Sequence, residues 1–191
     1  KNDISTNIIH DNLKNSIESQ LISDVEVGTF LSGGIDSSLI TAIASKFNDK
    51  IKSFTIGFYE KEYDESSYAK EIADYLKIKN YSFKVKPNDL LKTIDLISDV
   101  YTEPFADSSQ IPTILLNKFA SNHIKVALTG DGGDEIFAGY NRYIYYLRSK
   151  YFLFSNKKFN NFILKPLLAF IYRGNFEKVS KIKNKISKIK D

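Results

Sequence analysis

Seven consecutive residues, Ser32-Gly33-Gly34-Ile35-Asp36-Ser37-Ser38, have types and spacing suited to chemistry. They follow the apolar run Val27-Gly28-Thr29-Phe30-Leu31 and open a stretch of helical pattern. A strand that turns on glycines into a helix is suited to hold an anion. Glycines without Cβ let backbone N–H groups come close, and a helix start adds unpaired donors and partial positive charge. Ser32, Ser37 and Ser38 add hydroxyl donors for phosphate oxygens. Asp36 cannot favour bare phosphate. Its sensible role is to hold Mg2+, which takes carboxylate and phosphate oxygens together. A bare glycine pair would read as a plain turn, but the full string behind an apolar strand does not.

A second string, Thr129-Gly130-Asp131-Gly132-Gly133-Asp134-Glu135, packs three glycines and three carboxylates into one turn after the apolar run Ile124–Leu128. It too opens a helical pattern. Acidic residues in a first turn can simply complement the helix dipole, which accounts for Asp134 and Glu135. It leaves unexplained why the glycine turn lies at a strand's carboxyl end, where parallel sheets bind ligands. Neither string is the loop of P-loop NTPases, which needs Gly-x-x-x-x-Gly-Lys-Ser/Thr; no lysine holds that place.

The elements that must position these strings follow from periodicity. Val25–Leu31, Ile51–Phe58, Lys79–Val85 and Ile124–Thr129 read as strands, with Tyr81, Phe83 and Val85 on one face of the third. Ile4–Ile22, Ser37–Phe47, Glu65–Leu76, Asp89–Val100 and Ile111–Ala120 read as helices, with Asp64 and Asn88 at N-cap positions. Strands alternating with helices predict an α/β fold, a parallel sheet with helices on both faces and right-handed crossovers. After Tyr140 the sequence is helical and rich in aromatics, with Pro166 and Gly174 as interruptions, and predicts a C-terminal helical annex. The expected division is a nucleotide-binding domain over 1–145 and a helical extension over 146–191.

Composition narrows the function classes. The 191 residues suffice for one domain with a sizeable core. There is no cysteine, so no disulfide framework, thiol nucleophile or cysteine-ligated zinc is available, and two histidines cannot make a histidine-rich metal site. The chain contains no methionine, which reads as a segment of a longer protein. The net charge of +4 comes from a terminal lysine run, Lys178, Lys181, Lys183, Lys185, Lys188 and Lys190, which reads as a solvated helix face. No nucleic-acid partner is expected. With no apolar run of membrane-spanning length and no signal-peptide core, no membrane partner is expected either, and a soluble cytoplasmic protein is the default.

Ser32-Gly33-Gly34-Ile35-Asp36-Ser37 resembles the pyrophosphate loop, Ser-Gly-Gly-x-Asp-Ser, of the ATP-pyrophosphatase (N-type) superfamily, whose fold is adenine nucleotide alpha hydrolase-like. Those enzymes cleave ATP between the α and β phosphates and activate a carboxylate or carbonyl oxygen as an adenylate. Within it, Thr129-Gly130-Asp131-Gly132-Gly133-Asp134-Glu135 with Gly139-Tyr140 resembles the Ser-Gly-Glu/Asp-Gly-x-Asp-Glu-x-x-x-Gly-Tyr segment of glutamine-dependent asparagine synthetases. Ser53-Phe54-Thr55-Ile56-Gly57-Phe58, followed by Tyr63-Asp64-Glu65, is similar to their adenine-side strand. Glu103 to Thr113 is similar to the loop near their aspartate site. The resemblance runs from about Asp11 to Tyr145 in four ordered segments.

The resemblance implies a reaction and roles. ATP would adenylate the aspartate side-chain carboxylate, releasing pyrophosphate, and ammonia would then give asparagine. Leu31, Ile56 and Gly57 would meet adenine and ribose, largely through backbone atoms, and Thr129 and Gly130 would hold the nucleotide from the other side. Ser32, Gly33, Gly34, Ser37 and Ser38 would cradle pyrophosphate, and Asp36 and Asp134 would ligate Mg2+. Asp131 stands where the family often has Glu and is the candidate base for the attacking nitrogen. Glu103, Asp107 and Ser108 fall near the substrate. The family's glutaminase half uses an N-terminal cysteine, so a glutaminase domain is expected elsewhere in the full-length protein. A catalytic lysine is implied beyond residue 145 but cannot be matched to one here, so an incomplete synthetase domain is expected.

Several readings stay open in the sequence. Another amidotransferase acting on a sugar acid or peptide, or a nucleotide-binding fragment without catalysis, would share these motifs. Glu103 serves equally as a substrate contact or a loop cap. Asp107, Ser108 and Ser109 read first as a helix N-cap. His123 reads as an ordinary surface histidine, Arg142 as a candidate for phosphate or substrate carboxylate, and the tyrosines after Tyr140 as core. Oligomeric state is open, a homodimer included.

Overall fold

The computed structural model describes residues 5–103 and 106–155, in two compact units that divide after Gly133. The first unit is built on four parallel strands: β1 (Val27–Phe30), β2 (Lys52–Phe58), β3 (Lys79–Val85) and β4 (Val126–Leu128). Their order is β3-β2-β1-β4. Connections therefore run outward from β1 through β2 to β3, and the chain then returns to the other side of β1. That reversal makes a crevice at the carboxyl ends of β1 and β4, where open parallel sheets take ligands.

Helices cover both faces, as the alternation of elements predicts. On one face lie α1 (Thr6–Gln20), α2 (Ile35–Phe47) and α3 (Ser66–Leu76). Ile17, Val27, Ile43, Ala44, Ile51 and Leu128 form the core under α1 and α2, and Leu31, Ala69 and Ala73 form it under α3. On the other face α6 (Gln110–Ala120) packs Ala120, Leu116 and Phe119 around Phe54, with Phe30, Ile124 and Tyr81. The Phe54 ring is fully buried, stacked on Tyr81 at 5.3 Å and edge-on to Phe119 at 6.1 Å. Such aromatic pairs add to the burial of their apolar area.

Element bounds differ from the sequence reading for local reasons. The predicted helix Asp89–Val100 is two pieces, α4 (Pro87–Ile94) and α5 (Ile97–Val100). Asn88 is not the N-cap but lies inside α4, because Pro87 takes the first helical position, where a missing N–H costs nothing. Asp89 accepts from the Lys86 N–H at 3.0 Å and completes that helix start. β4 begins at Val126 rather than Ile124, since the Ile124 N–H still closes the turn after α6 on Ala120 O at 2.9 Å. His123 is exposed, as expected, yet stacks on Tyr81 at 4.4 Å.

The second unit holds α7 (Gly133–Phe137), which starts at the division, and α8 (Asn141–Ser155). The helical annex is thus described as far as Ser155, and the terminal lysines lie outside the described residues. Tyr145 and Tyr146, read as core, stand exposed. Ile144 to Leu147 are four consecutive apolar positions at 100° steps, so they encircle α8 and cannot all face one core.

Two predictions follow from the packing of the first unit. A Cβ at Gly28 would meet Lys52 O and Ile124 Cδ1 at 2.8 Å and Phe54 Cε2 at 3.0 Å. Gly28→Ala is therefore expected to cost about 1–3 kcal/mol in urea denaturation; an unchanged midpoint would show that α6 sits more loosely on the sheet. Asp64 anchors the connection from β2 to α3: its Oδ1 accepts from Ser66 N–H at 3.1 Å and Phe58 N–H at 3.4 Å, and its Oδ2 pairs with Lys84 at 3.1 Å. The Ser66 side chain first, with these amides and Lys84, holds the Asp64 carboxyl down at about 2. A depressed carboxylate stabilises the fold above its unfolded value near ~3.9 and loses that contribution as pH falls through the folded value. Thermal melts between about pH 4 and pH 2 should fall more steeply in the native chain than in Asp64→Asn. Parallel curves would remove the anchor.

Candidate functional site

The site grows from the two turns at the β1–β4 crevice. β1 ends at Phe30; Leu31 follows, still bound to β2 through its N–H on Phe54 O at 2.9 Å, and the chain then turns through Ser32, Gly33 and Gly34 into α2. Gly33 has φ +93°, and a Cβ there would meet Tyr68 Cβ at 2.7 Å and Ala69 N at 2.9 Å. Only glycine combines that dihedral with contact against the α3 backbone. The loop is thus buttressed by a helix more than thirty residues further along the sequence.

The serines knit the loop together. Gly34 N–H donates to Ser32 Oγ at 3.1 Å, Ser32 N–H to Ser37 Oγ at 3.2 Å, and the Ser32 and Ser37 hydroxyls pair at 3.0 Å. Ser37 and Ser38 hydroxyls donate to Gly34 O at 3.2 and 2.5 Å. Proton counting then has Ser32 donating to Ser37, so all three hydroxyl protons stay inside the turn. The donors left for a guest are the backbone N–H groups of Ile35, Asp36 and Ser37, which the first turn of α2 cannot satisfy itself. Deeper in, Thr41 hydroxyl donates to Ser37 O at 2.8 Å and lies 3.1 Å from Thr29 Oγ1, tying α2 to β1.

The second loop closes on the first. A Cβ at Gly130 would lie 2.8 Å from Ser37 N and 3.1 Å from Asp36 C, and one at Gly133 would lie 2.5 Å from Asp36 Cγ. Gly133 N–H donates to Gly130 O at 3.2 Å, which shapes the turn, and Gly132 takes φ +88°. Thr129 hydroxyl donates to Asp131 Oδ2 at 2.9 Å, fixing an exposed carboxylate beside the crevice. The structure therefore brings Leu31, Ser32, Gly33, Gly34, Asp36, Ser37, Ser38, Thr129, Gly130 and Asp131 to one place. Ile56 and Gly57 are at the carboxyl end of β2, next along the same edge.

Glu103, Asp107 and Ser108 are exposed and precede α6. Since α6 leads back to the start of β4, its own start lies toward the strands' carboxyl edge. The hydrogen bonds that knit the two glycine loops do not involve these three residues. Asp107 closes a local turn rather than capping α6, whose N-cap is Ser109: it accepts from Ser109 N–H at 2.8 Å, and the Ser109 contacts hold its carboxyl below the usual range.

Asp134 belongs to the second unit. Its carboxylate sits directly over Gly139, whose N–H donates to Asp134 O at 3.0 Å. A methyl group at 139 would displace it. Tyr140 hydroxyl donates to Glu135 Oε1 at 2.6 Å, which lowers the Glu135 carboxyl and raises the Tyr140 phenol. The Arg142 guanidinium lies over the Tyr140 ring at 3.9 Å. The sequence offers no signal for this pair, because α7 ends at Phe137 and the chain turns back through Ala138, at φ +56°, to bring Tyr140 onto Glu135. Sequence reasoning also missed Gly133 as the residue that makes room for Asp36. Among the described residues no group of three or more His, Cys, Asp or Glu side chains has metal-holding geometry.

Comparison with known proteins agrees with this geometry. The family model "Asparagine synthase" matches residues 9–183. The putative asparagine synthetase [glutamine-hydrolyzing] 2 of Methanocaldococcus jannaschii is 42% identical over 130 residues, covering 67% of this chain and 25% of that protein. Asparagine synthetase [glutamine-hydrolyzing] 1 of Bacillus subtilis is 40% identical over 135 residues, covering 71% of this chain and 21% of that protein. The chain thus spans about a quarter of the length of these relatives. In fold it is similar to the glutamine-dependent NAD+ synthetase of Acinetobacter baumannii solved with ADP, at TM-score 0.53 and 19% identity, covering 72% of this chain and 28% of that one. The NH3-dependent NAD synthetase of Campylobacter jejuni follows at TM-score 0.50 and 16% identity, covering 72% and 62%. With two glycine loops meeting at the switch point of a parallel sheet and a family match over most of its length, the chain belongs to the asparagine synthase family.

Proposed function

We propose that the chain carries the nucleotide-activating chemistry of an asparagine synthetase: it binds ATP, forms an adenylate on the side-chain carboxylate of aspartate, and supports amidation of that adenylate to asparagine. The observation that carries this reading is the approach of Gly130 and Gly133 to Ser37 and Asp36, which gives one anion site two walls. The names of the relatives, asparagine synthetases, support aspartate as the acceptor.

The roles follow from the groups present. Amides of Ile35, Asp36 and Ser37 with the α2 dipole take the leaving pyrophosphate. Ser32, Ser37 and Ser38 hold the loop in the shape that aims these amides. Leu31, Ile56 and Gly57 border the adenine, and Thr129 and Gly130 the far side of the nucleotide. Asp36 fits a hard cation, since the glycine at 133 leaves a cradle for its carboxylate. Asp36 and Asp134 would hold Mg2+, which when bound neutralises phosphate charge. An aspartate carboxylate oxygen attacks the α-phosphorus and the bond to pyrophosphate breaks with its electron pair. Ammonia then attacks the adenylate carbonyl and AMP leaves. Asp131, oriented by Thr129, takes the proton that the attacking nitrogen loses. Glu103, Asp107 and Ser108 line the aspartate side.

Ammonia would come from a glutaminase domain of the longer protein, as the relatives' glutamine-hydrolysing names suggest; this chain has no cysteine to act as its nucleophile. The division into 1–145 and 146–191, a homodimer and a cytoplasmic setting belong to the same reading. No helix among the described residues is long and apolar enough to cross a membrane.

The test is ATP–pyrophosphate exchange with Mg2+ and a panel of carboxylates: aspartate, glutamate, sugar acids and acidic peptides. Exchange should depend on aspartate and fall about 100-fold or more in Asp36→Ala. Gly133→Ala, which pushes the carboxylate aside, should lower it about tenfold. Exchange driven by another carboxylate would change the acceptor, and failure to bind ATP with Mg2+ at all would sink the reading.

A further inference from the structure

The ladder between β1 and β2 stops in an unusual way. Leu31 N–H donates to Phe54 O, the last backbone bond between them. In a parallel pair a residue turns its N–H and C=O to the same neighbour, and the residue two further on turns them the same way. Ile56 therefore presents its peptide groups toward the space that β1 would fill had it continued past Leu31. The rung that would join Ile56 N–H to Leu31 O is replaced. Thr55 hydroxyl donates to Leu31 O at 2.7 Å, and both residues are 1% exposed. Thr55 alternates with Phe54, so its side chain stands on the α3 face and draws the carbonyl that way.

The hydroxyl is itself held. Ser53 Oγ and Thr55 Oγ1 lie 3.1 and 3.0 Å from the same Asn80 side-chain atom. Thr55 has one proton, and Leu31 O can only accept, so that proton belongs to Leu31. The balanced network turns the Asn80 amide so that its nitrogen donates one hydrogen to each hydroxyl. A chain of bonds then runs from β3 through β2 to the last carbonyl of β1.

We propose that Thr55 is a positioning residue for the nucleoside end of the site. By holding the Leu31 carbonyl aside, it keeps the Ile56 N–H and C=O free to pair with the edge of a purine. This rests on the nucleotide reading above. It separates the site into a nucleoside end that depends on Thr55 and a pyrophosphate end that does not.

The test compares affinities of the whole chain for AMP, ATP and inorganic pyrophosphate, each with Mg2+, by calorimetry. Thr55→Val, nearly the same shape without the hydroxyl, should weaken AMP and ATP about fivefold or more, the equivalent of one hydrogen bond, while pyrophosphate stays within about twofold. Thr55→Ser should restore AMP binding. Should Thr55→Val fail to fold by thermal melting, Asn80→Asp takes its place: an acceptor there competes for the Thr55 proton and must weaken AMP in the same sense. Unchanged AMP affinity, or an equal loss of AMP and pyrophosphate, overturns the proposal. A native chain that binds pyrophosphate but not AMP contradicts this inference alone, and one that binds neither removes the nucleotide reading with it.

Discussion

Backbone packs directly on backbone where the two glycine loops meet, and much of the rest of the fold serves that contact. A side chain at Gly130 would run into Ser37 N, and one at Gly133 into the Asp36 carboxylate. The strand order β3-β2-β1-β4 is what allows it, because it puts the ends of β1 and β4 side by side. β4 needs only three residues for this task. It is long enough to register on β1 through Val27–Val126, Gly28–Ala127 and Thr29–Leu128, and then releases the chain at the crevice.

The first glycine loop owes its shape to groups outside its own seven residues. Thr41 and Thr29 fix the first turn of α2 from below, α3 supports Gly33 from the side, and the second loop covers Asp36 and Ser37. With its serine hydroxyl protons spent internally, the loop is already ordered before any anion arrives. Ordering costs that would otherwise weaken binding are then small. The price is paid in the glycines, at Gly33 and Gly132, whose dihedrals L side chains rarely adopt.

Much of this was legible in the residues. The apolar runs marked all four strands, and Lys79–Val85 has the bounds that its alternation predicts. The strand–glycine–helix pattern marked the loop, because local chemistry dictates it. What could not be read was anything set by contact between distant segments. Gly133 looks like one more turn glycine until Asp36 is beside it. Thr55 looks like an ordinary β-branched strand residue until the Leu31 carbonyl is found on its hydroxyl. The break between α4 and α5 also escaped periodicity, since Leu96 and Ile97 keep the apolar pattern going across it. Asn88 failed as a cap because the neighbouring proline had a stronger claim on the helix start.

One measurement bears most directly on the shared site: two-dimensional amide NMR of the chain titrated with Mg2+ and pyrophosphate. Gly33 to Ser38 and Thr129 to Gly133 should shift together, on one binding curve, while amides of β3 and α4 stay in place. Shifts confined to one loop, or two loops following different curves, would contradict a single site built from both.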